Sequence, residues 1–511
     1  MKTKIKILLV LFLFPFLLYV NSNYLSKVLE PYIQTYPIIY TAKNYFFKIM
    51  DSFNPFVSEF NLASKEIINI DINIKKRDFN KLQETLETSF DDLTYHNLPY
   101  LSKFNNPWVK ANIKINSLDF DAKIKFHGNQ LAHFLRAKKS FSIKLSEDNL
   151  YKNTRKFGLL VMNEASIPSM FSYKVQEIFL GYKVHVDFVK LSINGINQGL
   201  YFFEEKASKE LLEKNGLSGY DIIRPFDEKD HQYNSYHIFP YMWNVAYTNF
   251  RNFSKKKLGQ LSIYEKLHQT NDIKFIKSKL DLHRLAKTEA IRALINDPTY
   301  GDNESFLYNT STGKFSSEFR IENGGIPIKK IEGRVNFDRN LYLIDEVYRN
   351  EIFINLIQDD DFRLRRNQEL WRILSIKEVL LDLYQNMLDE YGEIILSDPT
   401  HHNSGKTILY SDTMKFDYLR GNFDYINDYL DRTEFSIVKA NDSDQNKMII
   451  FENDSNVPLR VKGKGLDKII AAKIDSELMP IKNIVRIPYN SPINRLEITN
   501  MITGKQIINE I

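Results

Sequence analysis

Lysines and paired carboxylates stand at the ends of two segments that read as β-hairpins. The first runs Lys123-Ile124-Lys125-Phe126-His127-Gly128-Asn129-Gln130 and, after a short gap, Lys138-Lys139-Ser140-Phe141-Ser142-Ile143-Lys144-Leu145. The second runs from Val189 to Lys206 through Asn194-Gly195 and Gly199-Leu200-Tyr201 and closes on Glu204-Glu205. Apolar and polar residues alternating around a Gly/Asn turn are the hairpin signal. Alternation puts Lys139 on one strand face and Lys138 and Lys144 on the other, and it turns one of Glu204 and Glu205 inward and the other outward. A lysine held by a glutamate in a β-rich lobe is how protein kinases grip ATP phosphates. Each group also has an ordinary reading. Lysines guard exposed strand edges, and carboxylates sit well at a helix N-terminus.

A third element is Asn296-Asp297-Pro298-Thr299-Tyr300-Gly301-Asp302-Asn303, which closes a helix and precedes a strand at Ser305-Phe306-Leu307-Tyr308. Kinase-like enzymes place a catalytic Asp and a metal-binding Asn in such a loop. Asp-Pro and Gly-Asp-Asn are equally at home in a helix-terminating turn.

Taken in order, Gly128-Asn129, Lys138-Lys139-Ser140-Phe141, Lys144, Asn194-Gly195, Gly199-Leu200-Tyr201 and Glu205 resemble the CotH (spore-coat protein H) kinase-like family, over roughly residues 65 to 340. The resemblance implies an atypical protein-kinase-like core, a β-rich lobe followed by a helical one, that binds ATP and Mg²⁺. It makes Lys139 the residue expected to contact ATP, with Lys144 the second choice, and gives Glu205 the task of positioning the lysine or the metal. Asp297 would be the base that accepts the substrate hydroxyl proton, Asn303 a metal ligand, and Asp302 an alternative for either role. The family supplies a further metal-binding Asp soon after the next strand. Here Gly313 to Gly325 contains no Asp. Glu322 is the nearest candidate, with a longer stem than the geometry of Mg²⁺ favours, and Asp338 lies well beyond it. The implied reaction is in-line transfer of the ATP γ-phosphoryl to a hydroxyl on a protein or surface glycan. The alternative is a catalytically degenerate kinase fold serving as an envelope scaffold or binding protein.

The elements that must position these groups read as α+β. Strands are expected at Ile67–Ile74, Trp108–Ile115, Asp119–Phe126, Tyr182–Ser192 and Gly199–Phe203. Helices are expected at Lys76–Ser89, Met170–Leu180, Lys206–Lys214, Thr288–Ile295 and through most of 339–395, where Leu370 to Leu388 carries apolar residues at three- and four-residue steps. A polar break spans Asp398–Lys406. Short alternating strands from Glu434 onward are the pattern of a small β-sandwich. The domains expected are a signal peptide or membrane anchor at 1–22, a linker at 23–64, the kinase-like core at 65–432 and the sandwich at 433–511.

The whole chain bounds these readings. At 511 residues with 43% hydrophobic content it can bury a large core. Its net charge of +5, from 69 basic and 64 acidic residues, is too balanced to point to nucleic acid. It has no cysteine, so disulfides, thiolate metal sites and a cysteine nucleophile are excluded. Lys2, Lys4 and Lys6 precede the apolar run Ile7–Val20, which reads as a secretory signal or retained anchor. The chain is therefore expected in the cell envelope, exported or membrane-anchored. His401-His402 has no third ligand at metal-binding spacing.

Overall fold

Alternation at 68–73, 109–115, 118–126 and 141–145 folds as it reads. In the computed structural model, the described residues are 67–88, 106–128, 138–147, 149–162, 165–225, 243–247, 262–264, 266–295, 305–318, 351–398, 405–441, 447–474, 480–489 and 493–510. The expected signal or anchor and the linker lie outside them. Seven strands close a barrel in the order β1-β2-β3-β4-β5-β7-β6. They are β1 (Ile68–Asn73), β2 (Val109–Ile115), β3 (Leu118–Phe126), β4 (Phe141–Leu145), β5 (Lys156–Val161), β6 (Val186–Ile193) and β7 (Ile196–Glu205). The parallel pairing of β1 with β6 closes the ring, so no strand edge is left to aggregate. In β2 every second residue is buried. The barrel interior is filled by apolar side chains such as Ile72, Ile113, Ile124, Phe157 and Val189. Helix α1 (Lys76–Thr88) adds Leu82 to that core.

The expected Asn194-Gly195 hairpin joins β6 to β7. Both residues have positive φ, 51° and 78°, as the tight turns that match strand twist require. The Asn194 side chain accepts the Ile74 amide at 2.7 Å and pins the turn to the end of β1. From Gly199 to Glu205 strand β7 is buried at every residue. Its outer face is covered by α2 (Ile167–Leu180), whose Phe171 and Val175 share a core with Phe188 and Phe202. The inward-outward alternation expected for Glu204 and Glu205 therefore exposes neither of them.

The middle of the chain is largely helical. After α3 (Lys209–Lys214), strands β8 (Tyr220–Pro225) and β9 (Trp243–Tyr247) join β10 (Ser305–Asn309) and β11 (Lys314–Glu318) in a sheet ordered β11-β10-β8-β9. The helices of this part are α4 (Ile273–Lys279), α5 (Leu282–Ile295), α6 (Glu351–Gln358), α7 (Asp360–Leu374), α8 (Lys377–Leu396) and α9 (Gly405–Asp431). The helix expected from Leu370 to Leu388 is two helices. At the break the Ser375 amide closes back on Trp371 and Ile373, and its hydroxyl donates to the Arg372 carbonyl at 2.7 Å.

The C-terminal part holds β12 (Phe435–Asn441), β13 (Lys447–Asn453), β14 (Leu459–Gly463), β15 (Leu466–Ile470), β16 (Lys473–Ile474), β17 (Pro480–Ile481), β18 (Asn483–Pro488), β19 (Arg495–Asn500) and β20 (Gln506–Glu510). They form sheets ordered β12-β13-β18 and β15-β14-β19-β20, with β16 and β17 paired separately. Ile449, Phe451, Val461 and Ile498 from these sheets belong to the same apolar cluster as residues of α8 and α9. The side-chain amides of Asn456 and Asn500 donate to the carbonyls of Tyr429 and Leu430 at the end of α9. The fold is thus α+β, with a β-rich N-terminal lobe, a helical middle and C-terminal sheets that share the helical core.

Candidate functional site

Residues 138–140 enter β4 and are tied to the barrel rim at every step. The Lys138 ammonium donates to the Leu200 carbonyl on β7 and, at 2.8 Å, to Asp398, which follows α8. It also lies 4.7 Å above the Tyr201 ring. Asp398 accepts the Leu200 amide on its other oxygen at 3.4 Å. The next carbonyl, that of Lys139, accepts the Tyr201 hydroxyl at 3.0 Å. The Ser140 hydroxyl then accepts the Val161 amide on β5 at 3.0 Å, and its carbonyl accepts the His127 amide.

Lys138 and Asp398 are 260 residues apart, and their side chains are 4% and 0% exposed. Burial pushes the Lys138 ammonium below its ordinary range, while the charge and hydrogen bond of Asp398 oppose that shift. The pair joins the barrel to the helical half. Alternation had grouped Lys138 with Lys144. The strand begins only at Phe141, so the two-residue period does not reach back to Lys138, which is buried where Lys144 is half-exposed.

The Lys139 side chain is half-buried on this fixed stretch of backbone. Lys144 and Glu205 sit elsewhere on the barrel. Lys144 stands in a row of lysines across three strands, opposite Lys123 on β3 and Lys156 on β5. Glu205 lies opposite Phe157, whereas Tyr201, which holds Lys139, lies opposite Val161. Four residues of strand separate the two levels, about 13 Å. The Glu205 carboxylate accepts from the Lys214 ammonium and from the His185 amide at 3.0 Å. Burial raises its pKa against the pull of Lys214. The Thr154 hydroxyl also supports the charged form of this carboxylate, while His185 Nδ1 is buried without a hydrogen-bond partner. Burial first, then the charges of Lys152, Lys214 and Lys174, lowers the His185 imidazole to about 4. Glu204 accepts from the Tyr173 hydroxyl at 3.0 Å and from Lys206 at 2.9 Å.

Asp297, Asp302, Asn303 and Glu322 lie outside the described residues, as does His401-His402. The segment with Asp297, Asp302 and Asn303 is bounded by α5, which ends at Ile295, and by β10, which starts at Ser305. The Leu294 carbonyl near the end of α5 accepts the Asn422 side-chain amide of α9 at 2.9 Å, and Leu294, Ile295 and Leu200 share one apolar cluster. Among the described residues no group of three or more His, Asp or Glu is placed to hold a metal ion. The structure thus separates Lys139 from Lys144 and Glu205. It brings Lys138 to Asp398, a pairing that no local pattern could signal across that sequence distance.

No family model matches the chain, and no curated protein matches it.

Proposed function

We propose that the chain is an exported, CotH-like atypical kinase that transfers the ATP γ-phosphoryl to a hydroxyl on a protein or surface glycan. One observation carries the reading. Residues 138–140 are held from four sides at the junction of barrel and helical half, and the Lys139 side chain alone among them is left half-exposed. A cation that grips a triphosphate has to be fixed before the ligand arrives, because ordering a long side chain on binding costs affinity. Lys138 supplies that fixation, and its ammonium protons are already engaged by Leu200 and Asp398. By the family resemblance Lys139 is the phosphate-contacting lysine. Asp297 is the base, with Asp302 its alternative, and Asn303 and Glu322 hold Mg²⁺. The barrel interior is packed with apolar side chains, so the nucleotide belongs at the rim, where the helical half meets the strands.

A second reading is favoured by Glu205. Its partner is Lys214 rather than a lysine of the 138–144 segment, which suits a degenerate kinase fold acting as an envelope scaffold. Binding of labelled ATP with Mg²⁺ to the full chain and to Lys139→Ala separates the two. The kinase reading expects wild type to bind and the variant to weaken by about tenfold or more, roughly the 1.4 kcal/mol of a lost charged contact. Equal binding by both chains, or none by either, removes it.

A further inference from the structure

Ser166 occupies the N-cap of α2 but makes no capping bond to its own helix. Its hydroxyl donates instead to Asp412 of α9 at 2.8 Å. Asp412 is 1% exposed and Ser166 5%. The Ile167 amide at the start of α2 also favours the charged carboxylate. From α8, the Tyr384 hydroxyl donates to the backbone carbonyl of Asp412 at 2.9 Å. Its ring is held between Phe171 of α2 and Phe416 of α9, each 5.1 Å away. Lys415, one turn along α9, is the charged group that bears on Asp412. The second carboxyl oxygen, Oδ2, is buried with no hydrogen-bond partner.

We propose that Asp412 is a proton-operated clasp between α2 and α9. With the proton on Oδ2, a neutral carboxyl accepts from Ser166 and fits its dry surroundings. Without it, a full charge is buried with one oxygen unserved, an arrangement that costs stability. The α2 helix follows β5 of the barrel, and α9 follows Asp398, so the clasp spans the same two halves as the Lys138 pair. The charges and titratable groups around it support a switch near neutrality. Burial raises Asp412 to about 7 against the opposing pull of Lys415, Ser166 and Ile167. Burial lowers Lys415 and, with the charge of Asp412, raises Tyr384 well above its ordinary value, so the tyrosine keeps its proton.

The sign follows from linkage. The folded-state pKa lies above the unfolded value, so the folded chain keeps a proton that the unfolded chain releases. The resulting stability is complete at low pH and is lost as pH rises from about 4 to about 7, with a plateau beyond. His185, lowered to about 4, slopes the other way below its ordinary value, so the wild-type curve alone does not isolate the clasp. Comparison with Asp412→Asn does. The asparagine keeps an acceptor for Ser166 and carries no charge at any pH. Melting temperatures of the two full chains are expected to lie close together near pH 4.5. The wild type should fall below the variant by about 5 °C at pH 7.5, and the gap should stay constant above that. A gap that does not change across this range overturns the proposal. Ser166→Ala gives a second reading if Asp412→Asn does not fold. Losing a donor to the carboxylate should carry the wild-type inflection to higher pH, and an inflection that stays in place overturns the clasp.

Discussion

Lys138 is expensive to bury and well compensated where it lies. Its ammonium is shared by a carboxylate, a carbonyl and an aromatic face. Removing one member of such a pair leaves the other charge stranded, which typically costs about 3–5 kcal/mol. Lys138→Met should therefore destabilise the chain by about 3 kcal/mol or more in urea unfolding. Adding Asp398→Leu to it should restore part of that loss, because an apolar pair of similar bulk leaves no buried charge. A Lys138→Met chain as stable as wild type would mean that the pair does not hold the two halves together. Lys139, its neighbour, is less deeply buried. The two lysines look alike in sequence. Burial separates them, and burial depends on Leu200 and Asp398, which lie far along the chain.

Short-range signals are read well where turn chemistry is strict. Asn194-Gly195 demands positive φ at both residues, and the structure provides it. Asn194→Ala should cost about 1–2 kcal/mol, from the left-handed backbone and from the lost hydrogen bond to Ile74. Asn194→Gly should cost less, since glycine keeps the backbone conformation and loses only the bond. Thermal unfolding of the two variants tests that order, and equal losses would contradict it. Barrel strands β1 to β4 and several of the C-terminal ones were legible for the same reason: their buried residues recur with a period of two. Strand β5 was not, because it is buried at nearly every residue and carries no alternation. The division between α7 and α8 was not legible. Apolar spacing runs across it, and the break depends on Ser375 turning its amide and hydroxyl back onto α7. The Glu204-Glu205 alternation misled because it assumes one solvated face, and α2 covers that face of β7.

At the scale of the molecule, the α+β plan was visible in the shift from strand to helix to strand patterns, while the joins between the parts were not. The C-terminal sheets read as a separate small domain, yet their inward residues complete the core of α8 and α9. A chain ending at Arg432 should therefore leave that core open, fail to give a cooperative thermal transition and aggregate. A soluble truncated chain melting at the wild-type temperature would contradict this. The candidate site was legible only as parts in order along the sequence. The structure fixes Lys139 at the junction and sets Glu205 about 13 Å along the strands from it. The most direct test of the kinase reading is a crystal structure of the full chain with a non-hydrolysable ATP analogue and Mg²⁺. The account predicts the triphosphate at the barrel rim, within hydrogen-bond distance of Lys139 Nζ, with Asn303 and Glu322 on the metal and Asp297 facing the γ-phosphate. A nucleotide bound away from Lys139, or an empty rim at saturating analogue, would contradict it.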